Sequence, residues 1–252
     1  MFREGRQGQF FPKGNTMADY IRTNILCQAY VHAEVDENFA FAVAAIQNSA
    51  LPLIASRAKF FLYEDAELGF ESEQGSVKSR ITVFGTILIA LQAISNYKDF
   101  REGISLLYDD VRRVAEVAST ETLFALKARG QEIKRVEIRT GIVGQLHRIL
   151  RSVDAAQSDS LDHGIKSKAE DLERIRTEIL NLIDNINNAD DVELVANELY
   201  VLIEEIPDYP TPGRKDPHGS NFIPLYRDNR RALLSSLKQA KTARTKALGN
   251  MK

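Results

Sequence analysis

Histidine, cysteine and the carboxylates are the side chains here that could bind a metal or move a proton, and their spacing limits what they can do. Two histidines four apart on a helix would hold zinc, but no two of His32, His147, His163 and His218 stand four apart. A helical di-iron site needs Glu three residues before His; those places hold Ala29, Gly144, Ser160 and Lys215. His32-Ala33-Glu34 matches the opening of a zinc-hydroxide deamination site, which also requires paired cysteines, and Cys27 is alone. Helical RNA-cleaving sites place an arginine four to six residues before a histidine. Here Arg139 and His147 are eight apart, and Arg22 and His32 ten. Asp162-His163 and His218 would need distant partners to hold a metal. No phosphate-cradling loop and no dinucleotide fingerprint occurs. These readings assign no catalytic residue, no cofactor and no metal ligand, and they lean away from an enzyme.

What remains is recognition chemistry, carried by two patterns. The first is an apolar seam of Ile165, Leu172, Ile175, Ile179, Leu182 and Ile186 in a charged setting. Spacings of three, four and seven place these residues along one side of a long helix that must lie against another helix. They are the partner-interface candidates. The second pattern is charge. From Asp159 to Glu205 there are 13 acidic and four basic residues, a balance of −9; from Leu225 onward there are eight basic residues and one acid, Asp228, giving +7. At 100° per residue Arg227, Arg230, Arg231, Lys238 and Lys241 share an arc of about 100°. They are candidates for an acidic protein surface or for phosphate. The chain's own acidic segment is the favoured target, because it is present at high effective concentration.

The elements that must position these residues read as helix after helix. At 252 residues, 44% hydrophobic and 27% charged, the chain can bury a core, and a net charge of −2 gives no overall attraction to nucleic acid or membrane. A lone cysteine among Ile25, Leu26 and Tyr30 fits a buried thiol and a reducing, cytoplasmic setting. Residues 1–16 read as a mobile arm without the apolar core of a signal peptide. Thr16 caps a helix to about Val35, and Asp36 caps the next, which Pro52 bends or breaks. Gly69 to Gly75 reads as a loop. Ser76 or Ser79 opens an uncharged helix through Ile81 to Tyr97. This helix and the uncharged stretch 38–56 read as core helices too short or too polar to span a bilayer.

Asp99 and Glu102 have the spacing of a capping box for a helix carrying Ile104, Leu107, Val111, Val114 and Ala118, with Gly130 as its stop. Ile133, Val136, Val143, Leu146 and Leu150 recur at helical spacing, with room for a few strand residues at Val136 to Thr140. Asp190 caps a helix antiparallel to the seam helix, Pro207 ends it, and a last helix starts near Tyr226.

The expected fold is therefore all-α: a multi-helix bundle with a coiled-coil-like antiparallel hairpin and a C-terminal amphipathic helix. Its parts are an arm (1–16), a helical core (17–156), an acidic hairpin (157–206), a Pro-rich connector (207–224) and a basic helix (225–252). The expected function is a non-enzymatic helical interaction or assembly protein, partnered by itself or by another helical protein. One alternative is nucleic-acid binding through the basic C-terminal helix. The other is a membrane-acting helical protein that uses the uncharged stretches 38–56 and 81–97.

Overall fold

A computed structural model, which describes residues 23–35, 38–73, 76–94 and 97–250, overturns the all-α expectation. Alongside its helices the chain carries a four-stranded antiparallel sheet, so neither "all-α" nor "helical bundle" fits. It divides into two compact units, one reaching Gly144 and the other starting at Gln145.

The first unit runs β1 (Asn24–Ala33), α1 (Phe39–Ala45), a π-helical turn (Ile46–Ala50), α2 (Leu51–Phe61), β2 (Glu67–Glu73), β3 (Val77–Gly85), α3 (Ile87–Ala93), α4 (Phe100–Ala125) and β4 (Ile133–Arg139). The sheet order is β2-β3-β1-β4, every neighbouring pair antiparallel. β1 and β2 therefore run parallel with β3 between them, and β3 and β4 run parallel with β1 between them. These are two interleaved split β-α-β units.

Residues 24–33, expected to be helical, form a strand because their burial has period two. Ala29, Val31 and Ala33 are buried, while Gln28, Tyr30 and His32 between them are half-buried. The start of that expected helix, from Thr16, lies outside the described residues. The expected uncharged helix over 81–97 is a second correction. β3 takes Val77 to Gly85, burying Val77, Ser79, Ile81 and Val83, and α3 keeps only Ile87–Ala93. β-branched Val77, Ile81 and Val83 suit the pleated surface. β2 occupies part of the expected 69–75 loop.

Pro52 neither breaks nor ends the helix across 39–61. The preceding π turn is wide enough that the Leu51 N–H reaches back to the Ile46 carbonyl, and the proline sits in the first turn of α2. Asn38 caps α1, accepting from the Ala40 N–H at 2.9 Å; Asp36 lies outside the described residues. The core under the sheet joins Ala29, Val31, Phe70 and Ile81 to Ala42, Ile46 and Ile54 of the first helical segment and to Ala118 of α4.

α4 begins as its sequence implies, with Asp99 accepting from the Glu102 N–H at 2.9 Å. It passes through Ser119–Thr122 uninterrupted, and the buried Thr122 hydroxyl is satisfied by donating back to the Ala118 carbonyl at 2.7 Å. It ends before Gly130. Lys127 takes a left-handed φ of 50°, and the Ala128 N–H closes the last turn on the Leu123 carbonyl at 3.1 Å.

The second unit holds most of α5 (Gly141–Gln157), then α6 (Ile165–Asn185), α7 (Ala189–Glu204), a 3-10 turn (Gly219–Phe222) and α8 (Ile223–Gly249). Asn188, not Asp190, caps α7, accepting from the Asp190 and Asp191 N–H groups. α8 lies parallel to α6: Asn229 donates to the Ala169 carbonyl at one end, and Arg244 to that of Ile186 at the other. It lies antiparallel to α7, with Arg230 at Glu204 and Lys241 at Glu193.

Candidate functional site

The six seam residues lie inside the second unit. Ile165, Leu172, Ile175, Ile179, Leu182 and Ile186 are all buried, and α8, which packs along α6, supplies apolar surface that a heptad stripe needs. Apolar Leu233 and Leu237 of α8 are buried with them in this unit.

The five α8 cations meet mostly groups of α7 and the connector. Arg230 donates to the carbonyls of Ile206 and Glu204, at 2.8 and 2.9 Å, and pairs with Asp208 at 2.7 Å. Lys238 stands over the Tyr200 ring at 4.3 Å, and Arg227 over that of Tyr209 at 4.9 Å. Lys241 reaches Asn197 at 2.9 Å and Glu193 at 3.4 Å. Arg231 pairs with Asp228 on its own helix at 3.4 Å.

Beside this docking lies a cleft of about 600 Å³ between α5, α6 and the intervening loop, lined by Arg148, Arg151, Asp159, His163, Lys168 and Arg174 among others. Its best-held group is Asp159. Lys168 Nζ donates to one carboxylate oxygen at 2.6 Å and the Thr211 N–H to the other at 2.7 Å, while Lys168 also donates to the Thr211 carbonyl at 2.8 Å. Burial alone would push this carboxyl up, but those donors outweigh it and hold it below the ordinary value of 3.8. The network ties the loop after α5 to the proline connector. Nearby, buried Tyr226 donates to the Pro207 carbonyl at 2.9 Å, and its hydroxyl is pushed up to about 12 by burial and by the Asp159 charge.

A depressed carboxyl stabilises the fold above its unfolded value, and that stabilisation disappears as pH falls through the folded value. Asp159→Asn should therefore lower the melting temperature at neutral pH, with the gap from wild type closing as the pH drops below about 3.8. Melts recorded across acidic pH check this; a gap that persists in acid would assign Asp159 no charge-dependent role.

The residues weighed for metal or proton chemistry do not gather. His32 faces Ser76 Oγ at 2.8 Å across the sheet, and His163 is exposed at the cleft rim. Among the described residues no group of three or more His, Cys, Asp and Glu is arranged to hold a metal ion. Cys27 is buried in β1, and burial pushes its thiol up to about 12, which leaves it protonated and unreactive at neutral pH.

The first unit has exposed surfaces that the sequence reading did not single out. Phe41 is 73% exposed, Phe60 77% and Phe124 79%. Phe124 could have been noticed: it stands six residues past Ala118, about 120° off the buried stripe of α4. At the sheet edge, Val136 and Ile138 of β4 are 41% and 38% exposed, although they continue the sheet's apolar face beside Val31 and Ala29. On the opposite face Glu137 accepts from Arg135 and from Arg139, the latter at 3.0 Å, and these cations hold its carboxyl below the usual range.

Comparison with protein-family models, with characterised proteins and with solved structures gave no match.

Proposed function

We propose that this protein is a non-enzymatic assembly protein and that its docking surface lies on the first unit. One observation carries the reading. Of the fourteen large hydrophobic side chains exposed among the described residues, ten belong to that unit: Ile25, Phe41, Leu53, Phe60, Ile89, Tyr97, Leu106, Phe124, Val136 and Ile138. Singly exposed apolar residues are ordinary, but a concentration of aromatic and aliphatic groups on one unit favours burial against a partner. Full burial of a wholly exposed side chain of this kind returns about 1.5–3 kcal/mol, and each of these returns the share still exposed. Nucleic-acid binding through α8 gathers less support, since Arg230, Lys238 and Lys241 are directed to the chain's own groups.

The test is light scattering across a wide concentration range. Wild-type protein should associate, with itself or with a co-purified protein, and the double change Phe60→Glu with Phe124→Glu should weaken that association without lowering the melting temperature. A native mass that stays monomeric, with no bound protein, would remove the reading.

A second reading, action at a membrane surface, has one observation in its favour. The most apolar stretch of the helical segment Phe39–Phe61 has a mean hydropathy of 1.5, yet only 28% of that stretch is buried. Its partner in that idea, 81–97, is largely strand and short helix instead. Co-sedimentation with anionic vesicles, abolished by Phe41→Glu, would move this reading ahead.

A further inference from the structure

β4 is an edge strand of the sheet as described: one side pairs with β1, and no described strand pairs with the other. An edge of this kind presents a row of backbone donors and acceptors ready to template another strand. Sheet edges are commonly protected by shortness, proline, or charges that repel a second copy. β4 is seven residues long, contains no proline, exposes Val136 and Ile138, and has one irregularity, a bulge at Lys134, which leaves Arg135 to Arg139 regular. Its charges are Lys134, Arg135, Glu137 and Arg139, and their order determines what can lie beside it.

Consider a second copy of β4 set antiparallel along this edge, related by a two-fold axis normal to the sheet. Opposed side chains must share a face, so the axis must pass through a residue. Centred on Arg135 or on Glu137, the pairing sets like charges against each other. Centred on Ile138, it overlaps only the end of the strand. Centred on Val136, the midpoint, the two strands overlap most, with regular Arg135, Val136 and Glu137 at the centre and the Lys134 bulge towards each end. Arg135 then faces the partner's Glu137 twice, and Val136 faces its own copy. Opposite charges directly across a strand pair stabilise it, and like charges do the reverse.

We infer that two copies of this chain join their sheets through β4, antiparallel and centred on Val136, to make one continuous eight-stranded sheet. This rests on the assembly reading and names its partner as the chain itself. The occupant is argued from charge: among the registers centred on Arg135, Val136 or Glu137, the strand's own sequence is its complement in this one alone.

Two measurements on the full chain test it. In the first, native mass is followed for wild type, Arg135→Glu, Glu137→Arg and the double exchange. Wild type should be a dimer, each single change should raise the dimer dissociation constant at least tenfold, and the double exchange should restore it. The second reads the register. Val136→Cys should form a disulfide-linked dimer under mild oxidation, because the two copies of that side chain meet at the axis about 5 Å apart. Lys134→Cys should not, since its two copies lie four positions apart along the strands. Buried Cys27 supplies no competing thiol at the surface. A monomeric wild type overturns this inference together with the self-assembly it rests on. A dimer indifferent to the charge changes and giving no Val136→Cys cross-link overturns the β4 pairing and leaves assembly through another surface standing.

Discussion

Ile179→Asp is expected to unfold the second unit at ordinary temperatures. Ile179 sits in the middle of α6 and is 1% exposed. Trimming such a residue to alanine costs about 2–5 kcal/mol through lost transfer energy and the cavity left behind. Aspartate costs more, because it carries a charge into a buried position among apolar side chains. Circular dichroism melts of wild type, Ile179→Ala and Ile179→Asp give the order: a drop of several degrees for alanine and loss of much of the helical signal for aspartate. An aspartate variant with unchanged melting temperature and native mass would mean that the seam is not packed as described.

The second large effect belongs to Gly141, at the junction of β4 and α5. Its φ is 46°, a left-handed value that suits glycine, and a Cβ there would collide with the Ile25 carbonyl oxygen and lie 2.8 Å from that of Leu26. Both obstacles are backbone of β1 and cannot swing aside. Gly141→Ala should cost about 2–5 kcal/mol from strained backbone and overpacking together. Gly130→Ala is the control. Nothing lies within 4 Å of its added Cβ, so it should be neutral or stabilising by about 0.4–1 kcal/mol. Urea titrations of both variants decide it, and equal midpoints for the two would refute the account of Gly141.

These two sites differ in how far sequence alone could find them. The seam on α6 and the stripe on α4 were legible because long amphipathic helices repeat one signal many times, and their charged faces sharpen it. The strands are short, and two of them disguise their period. In β1, Ile25, Leu26, Ala29, Tyr30 and Ala33 stand at spacings that a helix would bury, although the strand, bulged between Ile25 and Cys27, leaves Ile25 exposed and Tyr30 half-buried; alanine strengthens that false reading. In β3 the alternation of Val77, Ser79, Ile81 and Val83 was visible. The absence of charge from Ile81 onward ran the strand and α3 together into one apparent helix.

Gly141 could be seen as a weakness in a helix, but not as a strict requirement. Its obstacle is a strand more than a hundred residues earlier. The place of β4 at the sheet edge was hidden for the same reason, since it follows from pairings such as Val31 with Val136. The cation positions on α8 were legible as an arc, whereas their partners, the carbonyls of Ile206 and Glu204 among them, are backbone groups that no composition reveals.

The docking of α8 along α6 also sets an order of events during synthesis. Asn229 closes on a carbonyl 60 positions earlier in the chain, and Arg244 on one 58 positions earlier. A ribosome adding roughly 5–20 residues per second needs about two to nine seconds to go from the end of α7 to the end of α8. Until α8 has been added and has docked, the apolar side of α6 lacks the surface that covers it. The newborn second unit is thus a client for any factor that shields such surfaces, and its release waits on the arrival of α8. Slowed decoding across the proline connector lengthens the wait, and with it the time in which neighbouring nascent chains can stick to Leu172 and Ile179.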